Sequence, residues 1–157
     1  MALSKLDNLY RQVILDHSSY PHHHGKLSTS NQQIELNNPT CGDVIQLQLA
    51  IDEEGIIQDI AFEGHGCSIS TASASMMTDA VIGKTLAQAQ ELSEAFSQLV
   101  QGKTITLEDE LGDASMLSGV AKFPARIKCA TLAWKALDKA IENPNQTTIT
   151  EEIKHEE

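Results

Sequence analysis

The chain lacks most of what marks a secreted, membrane-spanning or nucleic-acid-binding protein. Its three cysteines, Cys41, Cys67 and Cys129, are odd in number and far apart, so a disulfide framework fits poorly and a reducing cytoplasm fits better. No strictly apolar run exceeds three residues, against roughly 18 needed to span a bilayer. Residues Met1 to Gln12 also lack the charged-then-apolar pattern of a signal peptide. Basic residues are scarce, 11 against 22 acidic, for a net charge of −11. The long-range field therefore repels phosphate backbones, and no basic patch offsets it. There is no CxxC pair, which removes the usual zinc-knuckle spacing. No heptad pattern or unusual apolar patch is readable, so oligomeric state stays open.

What is present is an ordinary globular composition, 41% apolar, at a length that buries roughly two thirds of the unfolded surface without cross-links. One domain is expected over residues 1–145, followed by a polar, acidic, frayed tail over 146–157. Leu3, Leu6, Tyr10, Val13, Ile14 and His17 recur at helical intervals and predict a helix from about Ser4 to Asp16. The stretch from His22 to Asn31 has no apolar period. Its three adjacent histidines invite a metal reading, but neighbours in an irregular loop seldom converge on one ion, and a solvated loop is expected. From Gln33 the period becomes two, with Ile34 and Leu36, then Ile45, Leu47, Leu49 and Ile51, then Ile56, Ile60 and Phe62. These predict three half-buried strands in an antiparallel meander, turning at residues 37–42 and at Asp52 to Gly55.

After Cys67 a small-residue segment carries Ile69, Ala72, Met76 and Ala80 on one stripe and predicts a helix from Ser68 to Ile82. Thr85 and Gln88 form a capping-box pattern ahead of Ala89, Leu92, Phe96 and Leu99. A helical turn or two is expected around Leu107 to Ser118. Pro124 then opens a last long helix through Ile127, Thr131, Trp134, Leu137 and Ile141. The expected fold is α+β, a three-stranded antiparallel sheet packed against helices, with the cysteines gathered at one exposed end.

Each cysteine falls at an element end. A lone cysteine is more often a core residue than a ligand, yet Gly42 and Gly66 adjoin two of the three, where close backbone approach would serve an ion. From spacing alone, a three-thiolate metal site and three structural cysteines remain equally open. The residue pattern goes further. Asn38-Pro39-Thr40-Cys41-Gly42-Asp43, the run from Phe62 through Gly66-Cys67 to Ser70, and the run from Phe123-Pro124 through Cys129 to Ala130 resemble the three cysteine motifs of the IscU-type iron-sulfur scaffold family. The resemblance reaches from the first helix to about Asn143. It is nearer to the SufU branch, because Lys128 stands where the scaffold branch carries a histidine ligand. The segment between Cys67 and Cys129 is also longer, with Leu111-Gly112-Asp113 and Ser118-Gly119-Val120. The His22-His23-His24 tract departs from the more basic loop expected there.

The resemblance implies a tetrahedral zinc site of Cys41, Asp43, Cys67 and Cys129. Arg126 and Lys128 would lie nearby to offset its negative charge or to contact a partner. It implies that the chain accepts persulfide sulfur from a pyridoxal-phosphate cysteine desulfurase of the SufS type and passes it on to downstream cluster assembly proteins. Cys41 is the expected acceptor, since it sits on the turn, the most mobile of the three settings. A zinc-held thiolate must be partly released before it attacks. The competing expectation is an assembly scaffold on which an iron-sulfur cluster is built transiently by the same cysteines. A cysteine hydrolase pairing Cys67 with His65 is a third reading, weakened by the lack of an orienting third group.

Overall fold

In the computed structural model the described residues are 2–28, 30, 32–38, 42–142 and 148–152, and of residues 2–10 and 148–152 only the backbone is described. Helix α1 (Ala2–Ser19) leads into a loop and the strands β1 (Gln32–Asn38), β2 (Asp43–Ile51) and β3 (Ile57–His65). Helices α2 (Ser68–Val81), α3 (Leu86–Leu99) and α4 (Glu108–Leu111) follow, then a 3-10 segment (Gly112–Lys122), α5 (Pro124–Glu142) and a strand β4 (Thr148–Glu152).

The three central strands form the expected antiparallel meander, with Ile34, Leu36, Ile45, Leu47, Leu49, Ile60 and Phe62 all buried. Alternation along each strand directs these residues to one face, where the helices cover them. The sheet order is β3-β2-β1-β4. Residues 148–152, expected to belong to a frayed tail, pair in parallel with β1 as β4. The open edge of β1 offers unpaired backbone groups, and a short polar segment can satisfy them without a hydrophobic pattern of its own.

The outer edge of β3 is covered as well. Phe62 N–H donates to the His23 carbonyl and Gly25 N–H donates to the Phe62 carbonyl, at 3.0 and 2.9 Å. This pairing corrects the picture of a simply solvated loop. It fixes the histidine tract so that His24 lies edge-on against Phe62, while His22 and His23 turn toward α2.

Helix α2 is the centre of the helical layer, with ten of its fourteen residues buried. Small residues allow this, because Ala and Ser let neighbouring helices approach closely, but each buried hydroxyl then needs a partner. Ser73 donates to the Ala130 carbonyl of α5 at 2.5 Å and accepts from the Trp134 indole N–H at 3.2 Å. Trp134 in turn stacks on Phe96 of α3, with ring centroids 4.7 Å apart. The Thr85 and Gln88 capping box that starts α3 is formed in both directions.

Asp138 of α5 is half-buried. Desolvation raises its pKa to about 6, against a hydrogen bond with Ser93 that favours the charged form. A carboxyl whose folded pKa exceeds its unfolded value of 3.8 supports the fold fully below that value, and the support is lost as pH rises through about 6. Asp138→Asn is therefore expected to raise Tm by roughly 2 °C at pH 7.5, a modest gain because solvent screens the site, and to leave it unchanged at pH 3.5. Thermal melts at the two pH values check this, and an equal shift at both would contradict it.

Candidate metal centre

Three elements converge at one end of the sheet. Asp43 opens β2, Cys67 is the N-cap of α2, and Cys129 lies on α5. One ligand atom from each of these residues lies within 4.8 Å of the others. The fourth residue expected at this site, Cys41, lies outside the described residues.

Asp43 is 2% exposed, and its two carboxylate oxygens are in different circumstances. Oδ1 accepts the backbone N–H of Cys67 at 3.1 Å, whereas Oδ2 is buried with no hydrogen-bond partner among the described residues. A carboxylate oxygen buried without a donor is costly, and a cation would offset that cost. The first oxygen is oriented by the backbone and the second is left for an ion. Two thiols and one carboxylate suit a tetrahedral dication of borderline softness, so the residues present fit a metal.

The cysteines are held by local backbone chemistry. Cys67 Sγ caps α2, accepting Ser70 N–H at 3.5 Å with Ser70 Oγ a further 3.8 Å contact. This sulfur therefore takes the place of an N-cap oxygen at the start of the helix. Cys129 is fully buried and Cys67 half-buried, and neither forms a disulfide among the described residues. Arg126 is exposed. Its pKa is raised, first by the charge of Cys67 and then by a hydrogen bond to Cys129, so one guanidinium serves both sulfurs. Lys128, one residue before Cys129, is half-buried.

The glycines beside the cysteines act differently. Gly42 takes φ +74°, the left-handed region that glycine enters without strain. Gly66 is needed for space, since a Cβ there would lie 2.4 Å from Ser70 Oγ and 2.7 Å from Asp43 Oδ1. Sequence reasoning missed Ser70, whose only signal is its position three residues after Cys67, the spacing at which an N-cap meets its backbone donor. It also missed the division of labour between the Asp43 oxygens, which has no sequence signal. The hydrolase reading gains no support here, since Cys67 is hydrogen-bonded with Asp43 and Ser70 and His65 is exposed. Beside the centre runs an apolar groove of about 350 Å³, lined by Ile14, Leu15, Ile69, Met116 and Phe123 among others, with Phe123 62% exposed.

A helix-covered antiparallel sheet that brings two thiols and a buried carboxylate together at one end is a fold with a candidate metal site. Comparison with known proteins gives the family. The chain belongs to the NifU-like N-terminal domain family, whose model matches residues 9–130. It is 60% identical over 141 residues to the iron-sulfur cluster assembly scaffold protein IscU of Streptococcus pyogenes, covering 90% of this chain and 87% of the relative. It is 53% identical over 138 residues to the zinc-dependent sulfurtransferase SufU of Bacillus subtilis, covering 88% and 92%. A crystal structure from Fervidobacterium islandicum, described as a cluster assembly scaffold for the SUF system, superposes with a TM-score of 0.77 at 36% identity, covering 83% of this chain and 94% of that one.

The packing around Gly66 yields a direct test. Gly66→Ala must displace Asp43 or Ser70, and metal affinity is expected to fall at least tenfold, about 1.4 kcal/mol, with the fold retained. Metal content by elemental analysis alongside circular dichroism would show this. Full occupancy in a folded Gly66→Ala protein would mean that the close approach is not required.

Proposed function

We propose that this chain is a zinc-dependent sulfur carrier of iron-sulfur cluster biogenesis. It takes sulfane sulfur from the persulfide of a SufS-type, pyridoxal-phosphate cysteine desulfurase and hands it to cytoplasmic cluster assembly proteins. The observation that carries this reading is the mixed donor set, an Asp43 carboxylate oxygen grouped with the Cys67 and Cys129 sulfurs, with Oδ2 buried and lacking a hydrogen-bond partner among the described residues. A hard oxygen among thiolates suits zinc. Lys128, standing where the scaffold branch carries a histidine, is a poor cluster ligand. The sulfurtransferase name of the Bacillus relative supports the same assignment.

Cys41, Asp43, Cys67 and Cys129 would hold the zinc, which when bound keeps its thiol ligands deprotonated at neutral pH and adds no redox chemistry. The chain's own residues account for the rest. Arg126 offsets the negative charge that three thiolates and a carboxylate leave on a dication. The Cys67 N–H fixes Asp43 through Oδ1, so the chain itself orients the carboxylate that would hold the zinc. Cys41, as a thiolate, attacks the outer sulfur of the desulfurase persulfide. The new S–S bond forms on Cys41, the desulfurase cysteine departs as a thiolate, and no net oxidation occurs. The exposed apolar groove beside the centre suits a protein donor better than a small molecule.

The second reading, a scaffold on which a cluster is assembled, is favoured by the IscU name of the Streptococcus relative. Metal analysis separates the two. Protein purified without added metal is expected to hold about one zinc per chain and to stimulate desulfurase turnover, with stimulation lost on stripping. Cys41→Ala is expected to reduce stimulated turnover at least tenfold and to acquire no persulfide. Iron with a visible cluster chromophore would establish the scaffold instead, and full persulfide loading of Cys41→Ala would remove Cys41 as acceptor.

A further inference from the structure

A second group of ligating side chains lies along α2, away from the thiolate centre. His17 ends α1, His22 follows in the loop, and Asp79 is near the C-terminus of α2. One ligand atom from each lies within 4.8 Å of the others. Cys67 and Asp79 are twelve residues apart, about 18 Å along the helix axis, so the two groups cannot share an ion.

The cluster combines one fixed ligand with two adjustable ones. His17 is 4% exposed, with Nδ1 2.7 Å from Ser75 Oγ and Nε2 2.9 Å from Asp113 Oδ2 of the 3-10 segment. His22 Nδ1 lies 2.5 Å from Asp79 Oδ2, and the His17 and His22 rings are 4.6 Å apart. The backbone is tied at the same place, because His22 N–H donates to Ser75 Oγ at 2.7 Å. Ligand atoms around tetrahedral zinc are roughly 3.3 Å apart. The side chains of His22 and Asp79, 52% and 39% exposed, can rotate through the difference. A cleft of about 280 Å³ lined by Val13, Asp16, His17, Tyr20, His22 and Asp113 opens over the group, and leaves space for water to complete a coordination sphere.

The donor chemistry selects the ion. Two imidazoles and a carboxylate suit a borderline first-row dication, whereas magnesium and calcium favour all-oxygen sets. We propose that His17, His22 and Asp79, with Asp113 orienting His17, form a second site for a divalent transition ion that clasps the loop after α1 onto α2. Within the histidine tract His23 pairs with Thr78 and also approaches Asp79, its Nδ1 3.5 Å from Oδ1, whereas His24 faces Phe62 and takes no part.

The test is calorimetric titration of zinc chloride into untagged protein already carrying one equivalent of zinc. A second event of about one ion per chain is expected, together with a further rise in Tm. The double variant His22→Ala, Asp79→Ala is expected to lose that event and the rise while keeping the first equivalent, which also reports that it folds. His24→Ala is expected to retain the event with affinity within twofold. Absence of a second event, its survival in the double variant, or its equal loss in His24→Ala would each overturn the site.

Discussion

Helix α2 is buried on almost every side, and the satisfaction of its hydroxyl groups is the constraint on which the rest of the molecule depends. Ser70 donates to the Cys67 carbonyl at 3.0 Å, Ser73 to Ala130, and Thr78 to the Ser75 carbonyl at 2.7 Å, while Ser75 meets both His17 and the His22 backbone. A buried hydroxyl without a partner costs about 1–3 kcal/mol, so each serine specifies where a different neighbour must lie. One sets the turn that carries Cys67, another the height of α5 and hence of Cys129, and a third the end of α1. An all-alanine helix would pack with comparable density but would leave these registers to apolar contact alone.

The thiolate centre inherits its geometry from this arrangement. Cys67 ends up where a helix N-terminus, a strand end and the first turns of α5 meet, and the N–H donors available there explain why sulfur and carboxylate can be crowded together. Like charges at such separations repel. A dication and the Arg126 guanidinium are the two counterweights, and the second is present in the chain itself. A centre built this way is half-exposed at Cys67 and anchored at the fully buried Cys129.

Much of this was legible in the residues. The period-two runs marked β1 to β3, the Thr85 and Gln88 pair marked the start of α3, and the glycines beside Cys41 and Cys67 marked places of special backbone need. What was not legible depends on partners distant in sequence. Strand β4 has little hydrophobic pattern and forms because β1 offers an edge. The Phe96 and Trp134 stack joins two helical stripes that each read only as core. His22 and Asp79 are 57 residues apart, and only the backbone pairing of the loop with β3 turns one histidine of the tract toward α2 and another away. Local pattern reports which face is apolar, and says nothing of which polar groups the fold will bring into contact.

The two clusters on α2 differ in preorganisation, and this difference predicts how each responds to metal. At the first centre Asp43 Oδ2 is buried without a hydrogen-bond partner among the described residues, so a metal bound there as proposed would offset a desolvation cost that the fold already carries. At the histidine cluster every ring nitrogen named already has a protein partner, Ser75, Asp113 or Asp79, so the empty state is stable and an ion must displace existing hydrogen bonds. Its net affinity is lower by that exchange, and the stabilisation it gives grows only as the logarithm of free ion concentration above Kd. On the proposed zinc reading, the first site is a fixed part of the native structure. The second follows the free metal concentration, tightening the attachment of α1 and its loop to the helix that carries Cys67.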